Sequence, residues 1–229
     1  MSDAVERHLE VVRTARYWVL GDAVAYPAEV WFVLHGYQQL ARRFLERFDT
    51  LADGTRVVVA PEGLSRFYVD QAPGRHGPAS PVGATWMTRE DRENEIADYV
   101  RYLDLLADTL LHGKAPTPRV TVLGFSQGVA TAARWTALGR MRPDRLVLWG
   151  DWMPSDLDLD AAQRVWVRTE VILVRGDQDP LLTDRGAAAE EATRVRAAGL
   201  EVRHIGYEGG HDLDAAALAT LAGAVRTPR

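Results

Sequence analysis

Two unbroken apolar runs, Val30-Trp31-Phe32-Val33-Leu34 and Val171-Ile172-Leu173-Val174, constrain this chain more than any other feature. A strand with one solvated face alternates apolar with polar residues, so a continuous run of strand length marks a strand covered on both faces. These runs fall within the expected strands 29–34 and 170–175. Five further segments, 14–20, 56–60, 119–124, 145–149 and 201–206, are short, rich in β-branched or aromatic residues, and bordered by Gly, Pro or Asp. That gives seven strands, with 23–26 open as part of an eighth. The strand carrying Tyr17 and Trp18 precedes any helical pattern and suits an antiparallel edge.

Helical patterns lie between the strands. The clearest spans about 89–111, where Ile96, Tyr99, Val100, Leu103, Leu106, Ala107 and Leu110 recur at three- and four-residue steps. Thr88 and Asp91 read as a capping box at its start, and Gly113 with Pro116 ends it. Further helices are expected at 39–51, 127–138, 184–198 and 214–225. Strands alternating with helices predict an α/β fold with a mostly parallel central sheet of about seven or eight strands and helices on both faces. In such sheets ligands bind at the carboxyl ends of the strands. The 229 residues show no internal repeat or linker, so one domain, 1–229, is expected. The longest loop, 62–87, carries Pro73, Pro78 and Pro81; loops of this length are functional or mobile, and its role is open.

Composition removes several kinds of chemistry. With no cysteine there are no disulfides, thiolate metal sites or cysteine nucleophile. A net charge of -5 offers no basic field for nucleic acid. Met1 to Glu10 lacks the apolar run of a secretory signal, and no stretch reaches the length of a membrane span, so a soluble, cytoplasmic protein is expected.

The expected strand 119–124 runs into Gly124-Phe125-Ser126-Gln127-Gly128 and then into a helical segment. Gly-x-Ser-x-Gly between strand and helix is a nucleophile elbow: a tight turn lifts the serine hydroxyl above the sheet. From 19 glycines and five serines, about 0.03 such pentapeptides are expected by chance in a chain of this length. A serine needs a base to take its proton, and the base needs a carboxylate to orient it. His211, in the Gly209-Gly210-His211 loop after the last expected strand, is placed to be that base, whereas His204 lies within the strand. Asp179 is the preferred acid. Asp177, which can brace the same turn, and Asp151 are the alternatives.

Two backbone amides must receive the oxyanion. Gln127, which follows the serine, supplies one; Tyr37, with Gly36 as the fallback, supplies the other from the loop after 29–34. His35 reads as a second base, a metal ligand or, more commonly for a His-Gly pair here, a residue that shapes this loop. No HExxH or other ligand spacing points to a metal, and no phosphate-cradling glycine loop points to a nucleotide, so no cofactor is expected.

These residues together resemble the α/β-hydrolase superfamily and, within it, the phospholipase/carboxylesterase family that includes acyl-protein thioesterases. Leu34-His35-Gly36, Ala60-Pro61-Glu62-Gly63, the serine elbow, Gly176-Asp177-Gln178-Asp179 and Gly209-Gly210-His211 carry the resemblance. It implies a serine carboxylesterase, with no cofactor and no large cap domain, acting on carboxylic or thioester bonds; the net charge of -5 fits small, neutral or largely apolar substrates. The sequence departs from many relatives after His35-Gly36, where Tyr37-Gln38-Gln39 follows. Trp86, Trp152, Met153, Leu181 and Leu182 fall in loops at the same end of the sheet, either as pocket walls or as ordinary packing. The same triad also serves lactone hydrolases, acyltransferases and perhydrolases, and a non-catalytic ligand binder is the remaining alternative.

Overall fold

The computed structural model describes residues 4–22, 27–70, 75–113 and 116–223. Strands β1 (Tyr17–Leu20), β2 (Glu29–Leu34), β3 (Arg56–Pro61), β6 (Arg119–Phe125), β7 (Arg145–Trp149), β8 (Glu170–Gly176) and β9 (Val202–Tyr207) form one seven-stranded sheet. Its order is β1-β3-β2-β6-β7-β8-β9, and every pairing is parallel except that of β1 with β3. The Tyr17/Trp18 strand is thus the expected antiparallel edge. Segment 23–26, open as part of an eighth strand, lies outside the described residues, as do 224 and 225 at the end of the last expected helix.

The continuous apolar runs are explained by two cores, one on each face. In β2, Val30, Phe32 and Leu34 enter one cluster and Trp31 and Val33 the other; in β8, Val171 and Leu173 separate from Ile172 and Val174 in the same way. The strand period of two divides each run between the layers. Helices α2 (Arg92–Leu111), α3 (Gln127–Leu138), α4 (Leu159–Val165) and α5 (Arg185–Ala197) contribute to the first cluster. The short α1 (Ala41–Leu45), a following 3-10 turn over Glu46–Leu51, and α6 (Ala215–Gly223) contribute to the second. None of the helices described is long and apolar enough to cross a membrane.

Two local expectations fail. Thr88 and Asp91 form no capping box: α2 begins at Arg92, and Asp91 takes a left-handed conformation without a side-chain cap. Glu95 instead reaches back to the Thr88 amide, while Asp91 accepts a hydrogen bond from the Asn94 side chain. The 62–87 loop is not without structure, because β4 (Ser65–Tyr68) and β5 (Val82–Thr85) pair antiparallel within it.

The amino end of the sheet is locked by charge. Glu29 opens β2 and is buried; its Oε1 accepts from Arg145 Nη2 at 3.2 Å, and its Oε2 accepts from Arg56 Nε at 2.9 Å and from the Trp31 indole at 3.1 Å. The two arginines also donate to α6, Arg145 to the Leu221 carbonyl at 2.6 Å and Arg56 to that of Ala222 at 2.8 Å. Cations at a helix C-terminus meet its unpaired carbonyls and its negative dipole end.

The chain passes from β2 to β3 on one side, where β1 forms the edge, and from β6 outward to β9 on the other. The loops after β2 and β6 therefore part above the sheet, opening a crevice at the switch point.

Candidate active site

Ser126 stands in that crevice, between β6 and α3, with φ 54° and ψ -123°. A side chain at positive φ is strained by about 1–3 kcal/mol and persists only where its surroundings enforce it. Here the Ser126 amide donates to the Trp149 carbonyl at 2.9 Å, and the Ser126 carbonyl accepts from Val129 at 2.8 Å. The flanking glycines are sterically required: a methyl group at Gly124 would fall 2.1 Å from the Gly128 oxygen, and one at Gly128 would fall 2.2 Å from the Leu34 oxygen.

His211, on the loop between β9 and α6, pairs through Nδ1 with Asp179 Oδ2 at 2.7 Å. Asp179 is 2% exposed, and its Oδ1 accepts from the Leu181 amide at 2.9 Å. A carboxylate can only accept, so Nδ1 carries the hydrogen and Nε2 is left as the basic nitrogen. The imidazole lies against Phe125, with ring centroids 4.9 Å apart, and against Gly150, where a methyl group would come within 3.3 Å of its Cε1. Phe125 precedes Ser126, and Gly150 follows the residue whose carbonyl holds the Ser126 amide. The fold thus gathers Ser126 and the His211–Asp179 pair at one end of the sheet.

The other two carboxylates have different work. Asp177 Oδ1 accepts from the Gly209 amide at 3.0 Å, bracing the loop that carries His211. Asp151 Oδ1 accepts from the amide of Trp152 at 2.7 Å, and burial pushes its carboxyl above the ordinary value.

The loop after β2 passes over the serine; a methyl group on Gly36 would sit 3.0 Å from Ser126 Cβ. The Gly36 amide donates to Gln39 Oε1 at 2.8 Å, whereas the Tyr37 amide has no hydrogen-bond partner among the described residues. Gln127 heads α3, so its amide is one of the donors a helix leaves unpaired. His35 is neutral, since burial pushes its imidazole down to about 4. Its Nδ1 donates to the Gly36 carbonyl at 2.8 Å and its Nε2 accepts from the Gly63 amide at 3.0 Å. Both nitrogens are therefore occupied in shaping the loop.

Of the five residues considered for pocket walls, Trp86 and Met153 are core residues, 2% and 3% exposed. The Trp86 indole stacks on His35 and donates to its carbonyl at 2.8 Å; the Met153 amide donates to buried Glu191 at 2.8 Å. Trp152 is half-buried beneath the Arg175 guanidinium, 4.2 Å from its ring centroid. Leu181 and Leu182 form the 3-10 turn that follows Asp179, with Leu181 exposed.

Sequence reasoning missed the clasp on the loop. The Gln127 side chain accepts from the Trp86 amide at 3.1 Å and donates to the Met87 carbonyl at 2.9 Å. Strand β5 in turn pairs with the loop after β2, through Gln38 N to Ala84 O at 3.0 Å and Ala84 N to Gln39 O at 3.2 Å. Gly83 was the available signal: a side chain there would strike the Gln38 carbonyl oxygen at 2.5 Å.

No protein-family model and no curated protein matches the sequence. Solved structures do match. A phospholipase/carboxylesterase from Dyadobacter fermentans is similar with a TM-score of 0.65 at 14% identity, over 94% of this chain and 98% of that one. Esterase PE8 gives 0.63 at 18% identity over 92% and 97%, and acyl-protein thioesterase 2 from Zea mays gives 0.63 at 15% over 91% and 96%. With the strand order and serine turn described above, this likeness along nearly the full length of each chain shows that the protein has the α/β-hydrolase fold.

Proposed function

We propose that the protein is a serine carboxylesterase that hydrolyses carboxylic ester or thioester bonds. The observation that carries this reading is the 2.7 Å His211–Asp179 pair, with its imidazole against Phe125 and Gly150 beside the strained Ser126. The similar structures are those of an esterase, an acyl-protein thioesterase and a phospholipase/carboxylesterase, which supports it.

In the proposed cycle Ser126 Oγ attacks the ester carbonyl carbon while His211 Nε2 takes its proton. Asp179 holds the imidazole in one tautomer and stabilises the imidazolium as it forms. The tetrahedral oxyanion is received by the amides of Tyr37 and Gln127. The imidazolium then gives its proton to the departing alcohol or thiol, leaving an acyl-serine. Water, deprotonated by the same nitrogen, attacks the acyl carbonyl and releases the acid, and Ser126 recovers its proton. No metal or cofactor takes part.

The test is the initial rate of wild type and Ser126→Ala on p-nitrophenyl esters from acetate to palmitate, without added metal. Wild-type turnover that falls by about 10⁴ in the variant is the expected result. Turnover unchanged in Ser126→Ala, or absent on every ester, overturns the reading.

A further inference from the structure

We infer, on the esterase reading above, that the preferred ester carries a second, free carboxylate, held by Arg43 in a cavity beside the triad. The cavity is about 310 Å³, within the usual size for a small-molecule site. Three of its walls adjoin the reacting groups in sequence. Gln38 and Gln39 follow Tyr37, Asp212 follows His211, and Phe125 precedes Ser126. The Phe125 ring is shared, lining the cavity while lying 4.9 Å from the imidazole between centroids. The Phe125 side chain is thus the wall that this space shares with the imidazole.

The charge of the cavity selects the chemistry. Arg43, Arg47 and Asp212 all line it. Arg47 is neutralised by an ion pair with Asp212, its Nη2 2.8 Å from Oδ1, and donates to the Leu213 carbonyl at 3.0 Å. Arg43 is exposed and has no carboxylate partner among the described residues, so the site carries one solvated guanidinium not paired with an acid. Apolar Leu40, Phe44 and Val82 complete the walls and suit the methylenes between an ester and its distal acid. A guanidinium fork binds a carboxylate through two parallel hydrogen bonds.

The experiment compares matched esters. Acyl-side pairs are the p-nitrophenyl hemiesters of succinate, glutarate and adipate against p-nitrophenyl esters of neutral acids of equal chain length. The alcohol-side pair is 4-carboxyphenyl butyrate against phenyl butyrate. In at least one series kcat/KM favours the charged ester by about fivefold, the ratio shrinks with added salt, and Arg43→Ala brings it to near one. Arg43→Lys retains part of it. Good turnover of neutral esters with no charged preference in either series, or a preference that survives Arg43→Ala, overturns the inference and leaves the esterase reading standing. Absence of turnover on every ester removes both.

Discussion

Glu29 and Asp179 are buried carboxylates at opposite ends of one sheet, 4% and 2% exposed, and their partners differ in kind. Glu29 faces Arg145 and Arg56, charges that stay fixed at any ordinary pH. Burial pushes its carboxyl up, but the Trp31 and Arg56 hydrogen bonds and the two arginine charges outweigh that and hold it below 4.5. Asp179 faces an imidazole, whose charge can change, and one backbone amide. A buried acid met by permanent cations fastens structure, whereas one met by a titratable ring is available for proton transfer.

Neutralising each acid in turn gives the sharpest way to break this contrast. Asp179→Asn is expected to lower kcat on a p-nitrophenyl ester by about 10⁴ with little change in Tm. Unchanged kcat in that variant, or a collapse in its Tm, would erase the distinction. Glu29→Gln is expected to do the reverse. It strands the guanidinium of Arg145, which is 1% exposed, at a cost of about 3–5 kcal/mol in urea unfolding, while the folded fraction keeps its kcat.

The smallest expected effect sharpens the contrast through pH. The unfolded chain protonates His35 near 6.5, but burial delays this in the folded protein to about 4. Stability tied to His35 is therefore complete above 6.5 and is lost as pH falls toward 4, by on the order of 3 kcal/mol. The Glu29 contribution is present above 4.5 and is lost only below it, as pH passes the depressed folded value. The carboxyl end should thus weaken first. Urea titrations at pH 7, 5.5 and 4 should show a decline that His35→Gln flattens in this range; an equal slope in both proteins would place the acid sensitivity elsewhere.

The readable parts of the sequence were those where backbone and burial leave few choices. The run Val30–Leu34 admits few arrangements other than a strand between two layers, and all seven expected strands are present to within a few residues. Gly124 and Gly128 announced the serine turn because neighbouring backbone fills the space their side chains would need. The hairpin of β4 and β5 was not readable. Its strands are separated by a Pro- and Gly-rich stretch, and its position depends on Gly83 meeting Gln38, a contact far apart in sequence. The start of α2 was misread because Glu95 supplies the amide partner expected from a residue three positions along, and does so from seven away. The setting of Arg43 was equally hidden. It lines the same cavity as Asp212, whose carboxylate is paired with Arg47 across the fold.

The clasp made by Gln127 has a consequence for how such a protein can change. One residue presents its amide beside the serine and, through its side chain, grips the segment that follows β5. Strand β5 also holds the loop bearing Tyr37. Remodelling the hairpin to admit a new substrate would therefore shift the two amides proposed to receive the oxyanion together, so on that proposal divergence in this region would register as altered turnover before it registered as altered affinity.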